Sequence, residues 1–239
     1  MTYRALIPVK SLTEAKSRLA PHMTQEQRSR LVLTMLHHVL CTLQESGSLE
    51  QISVVSPDER VLTSVRIWGA QPVVEEQHGH NPALHAAAAR ELAAGTTALL
   101  TISADLPLLR PQDIRSMLEA SQRHDVVLAP SQDGTGTNAI LVRPPLAIPY
   151  VFGIHSLQRY LEEARQRHLS AILYKSPGTA FDVDTIEDAT TLRNYQEPPA
   201  FHAGECQKSG VSPSSAPSTQ MAARSSLLCG TCLRVIRLL

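Results

Sequence analysis

The sequence predicts an α/β protein built on an open, mostly parallel sheet with helices on both faces. Two observations carry that prediction. Short apolar runs alternate with segments of 3.6-residue apolar period as far as about residue 194, the pattern of right-handed βαβ units. In addition, two acidic elements, Thr101–Leu109 and Asp182–Asp188, fall where strands should end, and open α/β sheets bind ligands beyond the carboxyl ends of their strands.

Taken in order, Arg4–Val9 reads as a buried strand, and Gln25–Leu43 as a helix with Leu31, Met35, Leu36, Val39 and Leu43 on one face. Ile52–Val55 is a β-branched run closed by the turn signal Ser56-Pro57-Asp58. Helical residues run to about Ile67, and Gln71–Val74 is strand-like. Asn81–Leu92 is alanine-rich and helical, with Pro82 expected at its first position. Ala98–Ser103 is an apolar strand, and Pro111–Ser121 a helix opened by proline. Asp125–Ala129 and Ala139–Val142 read as two further strands joined by Asp133-Gly134-Thr135-Gly136-Thr137-Asn138. Ser156–Arg167 is a helix with Ser156 as a candidate cap, Ala171–Tyr174 a strand, and Ile186–Asn194 the last helix.

The chain has 239 residues, enough to bury a full core. Lysine plus arginine and aspartate plus glutamate both number 22, so there is no basic field to attract nucleic acid. No apolar run of about 18 residues suggests a membrane span, and a strand-like segment begins at Tyr3 without a signal peptide's regions. Of four cysteines only Cys41 precedes residue 200, which fits a reducing cytoplasm rather than a disulfide framework. Composition shifts after about Gln196 to Ser, Pro, Ala and Gly. Residues 1–195 are therefore expected to form the domain and 196–239 a disordered, dispensable tail. The tail's Cys229-Gly230-Thr231-Cys232 is a lone CxxC without the partners of a zinc or thioredoxin site.

The first strand runs through Ile7-Pro8-Val9 into a loop bearing Lys10, Lys16 and Arg18. Cations there could hold a triphosphate, with Arg18 suited to bidentate contact, although surface solubility also accounts for them. The loop is not a Walker loop. Asp105 lies too early to cap the helix starting at Pro111, which favours function. Asp184 has two readings, a metal ligand or the cap of a box with Glu187. Carboxylates at two strand exits can share one magnesium ion, together with phosphate oxygens. Thr137 and Asn138 offer a hydroxyl and an amide beside glycines, though a bare hairpin needs no ligand. Gly153 and Ser156 precede a helix, and Gly79 and Asn81 open another, so each offers N–H groups to an anion. The ten histidines fit no zinc pattern.

Five segments in order, IPVKSLTEAKSRLA, ISADLPLL, LAPSQDGTGTNAILV, FGIHS and FDVDTIEDA, resemble the 2-phospho-L-lactate and phosphoenolpyruvate guanylyltransferase family over roughly residues 3–195. The resemblance implies a single-domain, Rossmann-like nucleotidyltransferase fold of the GT-A-like type. It also implies GTP as donor, phosphoenolpyruvate or 2-phospho-L-lactate as acceptor, Mg2+, and a step in making coenzyme F-420; a homodimer is common in that family. The metal would lie on Asp105 and Asp184, and Thr137, Gly153 and Ser156 would contact the acceptor. On the same reading Asn138 joins the acceptor side, and Pro8, Lys10, Arg18, Gly79, Asn81 and Asp105 the nucleotide, with Lys10, Lys16 and Arg18 holding its phosphates during transfer. Two positions depart from the family. Tyr160 stands where a histidine is common, and Gly-His-Asn at 79–81 where Gly-Leu-Asn is common. Other readings of the residues are a nucleotidyltransferase for a molybdopterin or sugar phosphate, a D-x-D glycosyltransferase, and a nucleotide-binding module without catalysis.

Overall fold

The computed structural model describes residues 1–195, and the expectations for 196–239 lie outside them. Seven strands form one sheet: β1 (Tyr3–Pro8), β2 (Gln51–Ser56), β3 (Gln71–Val74), β4 (Ala98–Ile102), β5 (Val126–Pro130), β6 (Thr137–Val142) and β7 (Ala171–Leu173). Between them lie α1 (Gln25–Glu45), α2 (Glu59–Ile67), α3 (His80–Ala93), α4 (Pro111–Ala120), α5 (Ser156–Gln166), the short α6 (Pro177–Ala180) and α7 (Ile186–Asn194). The sheet order is β3-β2-β1-β4-β6-β5-β7. Only β6 runs against its neighbours, and the other pairings are parallel. The hairpin between β5 and β6 is too short for a crossover, so antiparallel pairing is the available geometry.

Alternation along the strands divides the core. Ala5 and Ile7 pack with Leu36, Leu40 and Leu43 of α1 and Ile114 and Met117 of α4. Leu6, between them, faces the other side with Ala83 and Ala87 of α3. Farther along, Val126, Leu128 and Ile140 pack with Tyr160 and Ala164 of α5. Both faces are thus covered, as a mostly parallel sheet requires. Among the described residues, no helix is long and apolar enough to cross a membrane.

The chain winds from β1 outward to β2 and β3 and then returns to place β4 on the other side of β1. This reversal opens a crevice at the carboxyl ends of β1 and β4. The loop after β1 carries Lys10 to Arg18 and the loop after β4 carries Asp105, so the topology alone brings these distant segments together.

Several local expectations are corrected. α3 starts at His80, with Gly79 as its cap at φ 104°, a left-handed region that favours glycine. Pro82 is therefore the third helical residue, still within the turn whose N–H groups lack partners. Thr137 and Asn138 belong to β6 rather than to the loop before it. Ser156 is the first residue of α5 and not its cap; His155, at φ 54°, holds that position. The four-residue α6 was not foreseen, being too short to show a period.

Candidate metal centre and active-site cleft

The crevice is a cleft of roughly 400 Å³ whose lining includes Pro8, Lys10, Lys16, Arg18, Asp105 and Asp184, with His80 at its side. Lys16 is held with φ 54°, just before a 3-10 turn at Ser17–Leu19. Leu19 at the turn's end is fully buried beside Leu31 and Met35 of α1, which pins the loop. The Lys16 side chain is 8% exposed, and its Nζ donates to Asp105 Oδ2 at 2.5 Å and Asp184 Oδ1 at 2.6 Å. Arg18 is mostly in solvent, with Nη1 3.9 Å from Asp184 Oδ2.

Asp184 is not the cap of α7. Thr185 caps that helix, in a box with Asp188 instead of Glu187. Asp188 Oδ2 also accepts from the Asp184 and Thr185 N–H groups, at 3.0 and 2.8 Å. The Asp184 carboxylate is left to face the cleft. Phe181 and Val183 are buried with Leu19, Leu108 and Leu192, and in extended chain this alternation turns Asp182 and Asp184 to the opposite side. Asp182, which the sequence offers as a ligand only through the alternative D-x-D signature, thereby becomes the third member of an acidic group. One carboxylate oxygen from each of Asp105, Asp182 and Asp184 lies within 4.8 Å of the others. The Phe-Asp-Val-Asp alternation was the available signal.

The electrostatics follow from this crowding. Burial, and then the Asp105 charge, push the Asp182 carboxyl up to about 6. Burial also works upward on Asp184, but the Lys16 ammonium, aided by Arg18 and Lys10, holds it below the usual range. Burial disfavours the charged form of Lys16, yet Asp105 and Asp184 outweigh it and leave its pKa raised. Three carboxylates facing one ammonium keep an excess of negative charge. Hard oxygen donors so spaced suit a divalent cation.

A second group of expected residues lies beyond the acids. Ser156 Oγ donates to Thr137 Oγ1 at 3.2 Å, and both residues are buried. Asn81 and Phe152 are joined twice, Asn81 Nδ2 donating to the Phe152 carbonyl and Phe152 N–H to Asn81 Oδ1, each at 3.0 Å. The Asn81 amide thus braces the strand-to-helix loop carrying Gly153. Tyr160 accepts at its hydroxyl from the Val151 N–H at 3.2 Å and bears edge-on upon Phe152. The tyrosine in the family's histidine position therefore supports the same loop from below. Asn138 turns its amide toward the Asp182 segment, with Nδ2 3.2 Å from Asp182 Oδ1.

The fold is shared with solved transferases and synthetases that act on nucleotides. A putative nucleotide-diphospho-sugar transferase from Desulfovibrio desulfuricans G20 matches with TM-score 0.71 at 17% identity, over 84% of this chain and 90% of that one. The CMP:2-keto-3-deoxy-manno-octonic acid synthetase complexed with CTP matches with TM-score 0.56 at 12% identity, over 81% and 98%. Within that class the chain belongs to the family described as "Guanylyl transferase CofC like", whose profile matches residues 3–194. It is 40% identical over 193 residues to a phosphoenolpyruvate guanylyltransferase of Rubrobacter xylanophilus, covering 80% of this chain and 94% of that one. A 2-phospho-L-lactate guanylyltransferase of Methanobrevibacter ruminantium is 29% identical over 195 residues, covering 77% and 82%.

Proposed function

We propose that this chain moves GMP from GTP to the phosphate of phosphoenolpyruvate or 2-phospho-L-lactate and releases pyrophosphate, as a step in making coenzyme F-420. Phosphoenolpyruvate comes first, because the relative named for it is 40% identical and the one named for phospholactate 29%. The observation that carries the reaction is the acidic trio Asp105, Asp182 and Asp184, of which Asp105 and Asp184 line one cleft with the cations of the first loop. Those carboxylates would hold Mg2+. Such an ion would supply neutralisation of phosphate charge there.

Lys10 and Arg18 reach the cleft from the first loop and hold the β- and γ-phosphates. Lys16 keeps its proton and neutralises charge at the boundary between acids and phosphates. Thr137 and Ser156, hydrogen-bonded to each other, orient the acceptor together with the loop at Gly153. An oxygen of the acceptor phosphate attacks the α-phosphorus in line. The new P–O bond forms as the α–β bridging P–O bond breaks, and pyrophosphate leaves with the electron pair. A phosphate oxygen is already anionic near neutral pH, so no general base is needed. Positioning and charge neutralisation supply the acceleration.

The test is direct. The protein is incubated with GTP, Mg2+ and each phospho-acid in turn, and pyrophosphate is measured, with coupling to the next enzyme if the product is labile. Pyrophosphate that appears only with GTP and one of the two acids supports the reading. Its appearance with sugar phosphates alone would move the chain to a different nucleotidyl transfer.

A further inference from the structure

Asn138 was expected at the acceptor, beside Thr137. Strand geometry separates the two, since successive residues of β6 point to opposite faces. Thr137 meets Ser156 of α5. Asn138, 7% exposed, meets the chain that leads into the acidic pair. Its Nδ2 lies 3.1 Å from the Thr179 carbonyl, 3.0 Å from the Ala180 carbonyl and 3.2 Å from Asp182 Oδ1. The two hydrogens of one amide are thus shared among three oxygens of a single segment. The backbone carbonyl of Asn138 also accepts from the Ser103 N–H at 2.8 Å. Ser103 lies two residues before Asp105.

We infer that Asn138 is a positioning residue of the acidic centre, setting through its two ends the spacing between Asp105 and Asp182. The main chain of Asn138 fixes the exit of β4, and its side chain fixes the turn out of α6. Among the described residues, the Asn138 amide is the hydrogen-bond donor that reaches the Asp182 carboxylate from the sheet. The Asp182 carboxylate lies within 4.8 Å of those of Asp105 and Asp184, so without a donor it has reason to swing away. Asn138 touches the ligand and not the ion, in the manner of outer groups that orient metal ligands and whose loss weakens affinity about 10–100-fold. The inference rests on the metal reading of the trio, but it assigns Asn138 to the metal rather than to the acceptor.

The experiment measures Mn2+ binding to the full chain, by titration calorimetry or by loss of the free-ion paramagnetic resonance signal, without relying on turnover. Wild type, Asn138→Ala, Asp182→Ala and the double variant are compared. Asn138→Ala is expected to weaken Mn2+ binding about tenfold or more. The double variant should bind no worse than Asp182→Ala alone, because Asn138 acts through that carboxylate. At saturating metal, the KM for the acceptor should stay within about twofold of wild type, since no contact to it is lost. Asn138→Ala with unchanged Mn2+ affinity and a raised acceptor KM would return the residue to the substrate and overturn the inference alone. A wild type that binds no Mn2+ would overturn the metal reading and this inference together. Should Asn138→Ala lose its cooperative thermal transition, Asn138→Ser, which keeps one donor on the strand, takes its place in the comparison.

Discussion

An ammonium set between two carboxylates can be deleted only by leaving those anions to face each other and a third. Lys16 is in that position, and Lys16→Met should lower stability by about 1–3 kcal/mol. That is less than a fully buried pair would lose, because Asp105 and Asp184 keep contact with solvent. Millimolar Mn2+ should restore part of the loss in a thermal melt. Absence of any restoration would mean that the trio does not take a cation. Asp105→Asn, which preserves shape while removing a ligand charge, should leave the melt close to wild type and lower kcat by a factor on the order of 10³. Near-normal turnover would take Asp105 out of the reaction. Away from the cleft, burial holds His38 below its usual pKa, and its Nε2–H donates to the Leu109 carbonyl at 3.1 Å. The unfolded chain therefore takes up this proton first as pH falls. The contribution of His38 is complete above about 6.5 and is lost as pH drops through that value toward the folded pKa. Melts between pH 7.5 and 5 should slope down in wild type, and less steeply in His38→Gln.

At the scale of elements, what the chain announced and what it concealed have physical causes. The strands and long helices were legible because burial on one face imposes a period on them, as in Leu36, Val39 and Leu43 of α1. Asp105 was legible because it lies six residues ahead of the proline that opens α4, where it can cap nothing. Asp113 does that work, accepting from the Arg110 N–H at 2.9 Å. The cap of α7 was not legible. Asp184-x-x-Glu187 and Thr185-x-x-Asp188 both fit the box pattern, and only the docking of Phe181 and Val183 chooses between them. The same choice frees Asp184 and brings in Asp182. Nor could spacing show that Asn81 braces Phe152, since that contact spans 71 residues. The α7 cap makes a measurable element. Asp188→Ala removes the acceptor of three hydrogen bonds, so about 0.5–2 kcal/mol of stability should be lost. Asp184 should lose its fixed orientation too, and Mn2+ affinity should fall with it. A melt lowered with unchanged Mn2+ affinity would show that the cap serves the helix alone.

For the molecule as a whole, the site is a product of winding order. Residues 8–18, 105, 138 and 182–184 meet because β4 is laid beside β1 and β6 beside β4, and because α7 packs against Leu19 of the first loop. No shorter piece of the chain holds the set. Among the described residues, the sheet, its two layers of helices and the plug formed by Leu19, Leu31, Leu108, Phe181 and Leu192 already enclose a core. The family profile ends at the same place, at residue 194. A chain ending after Tyr195 should therefore keep the wild-type melting temperature within a few degrees, a shift that corresponds to less than about 1 kcal/mol at this size. It should also keep Mn2+ affinity and the rate of pyrophosphate release within about twofold, which is less than about 0.5 kcal/mol. If the shortened chain melts much lower, residues 196–239 contribute to the core. If it melts normally but loses turnover with its Mn2+ affinity intact, the tail serves the substrates, and the domain boundary drawn at residue 195 is wrong for function though right for folding.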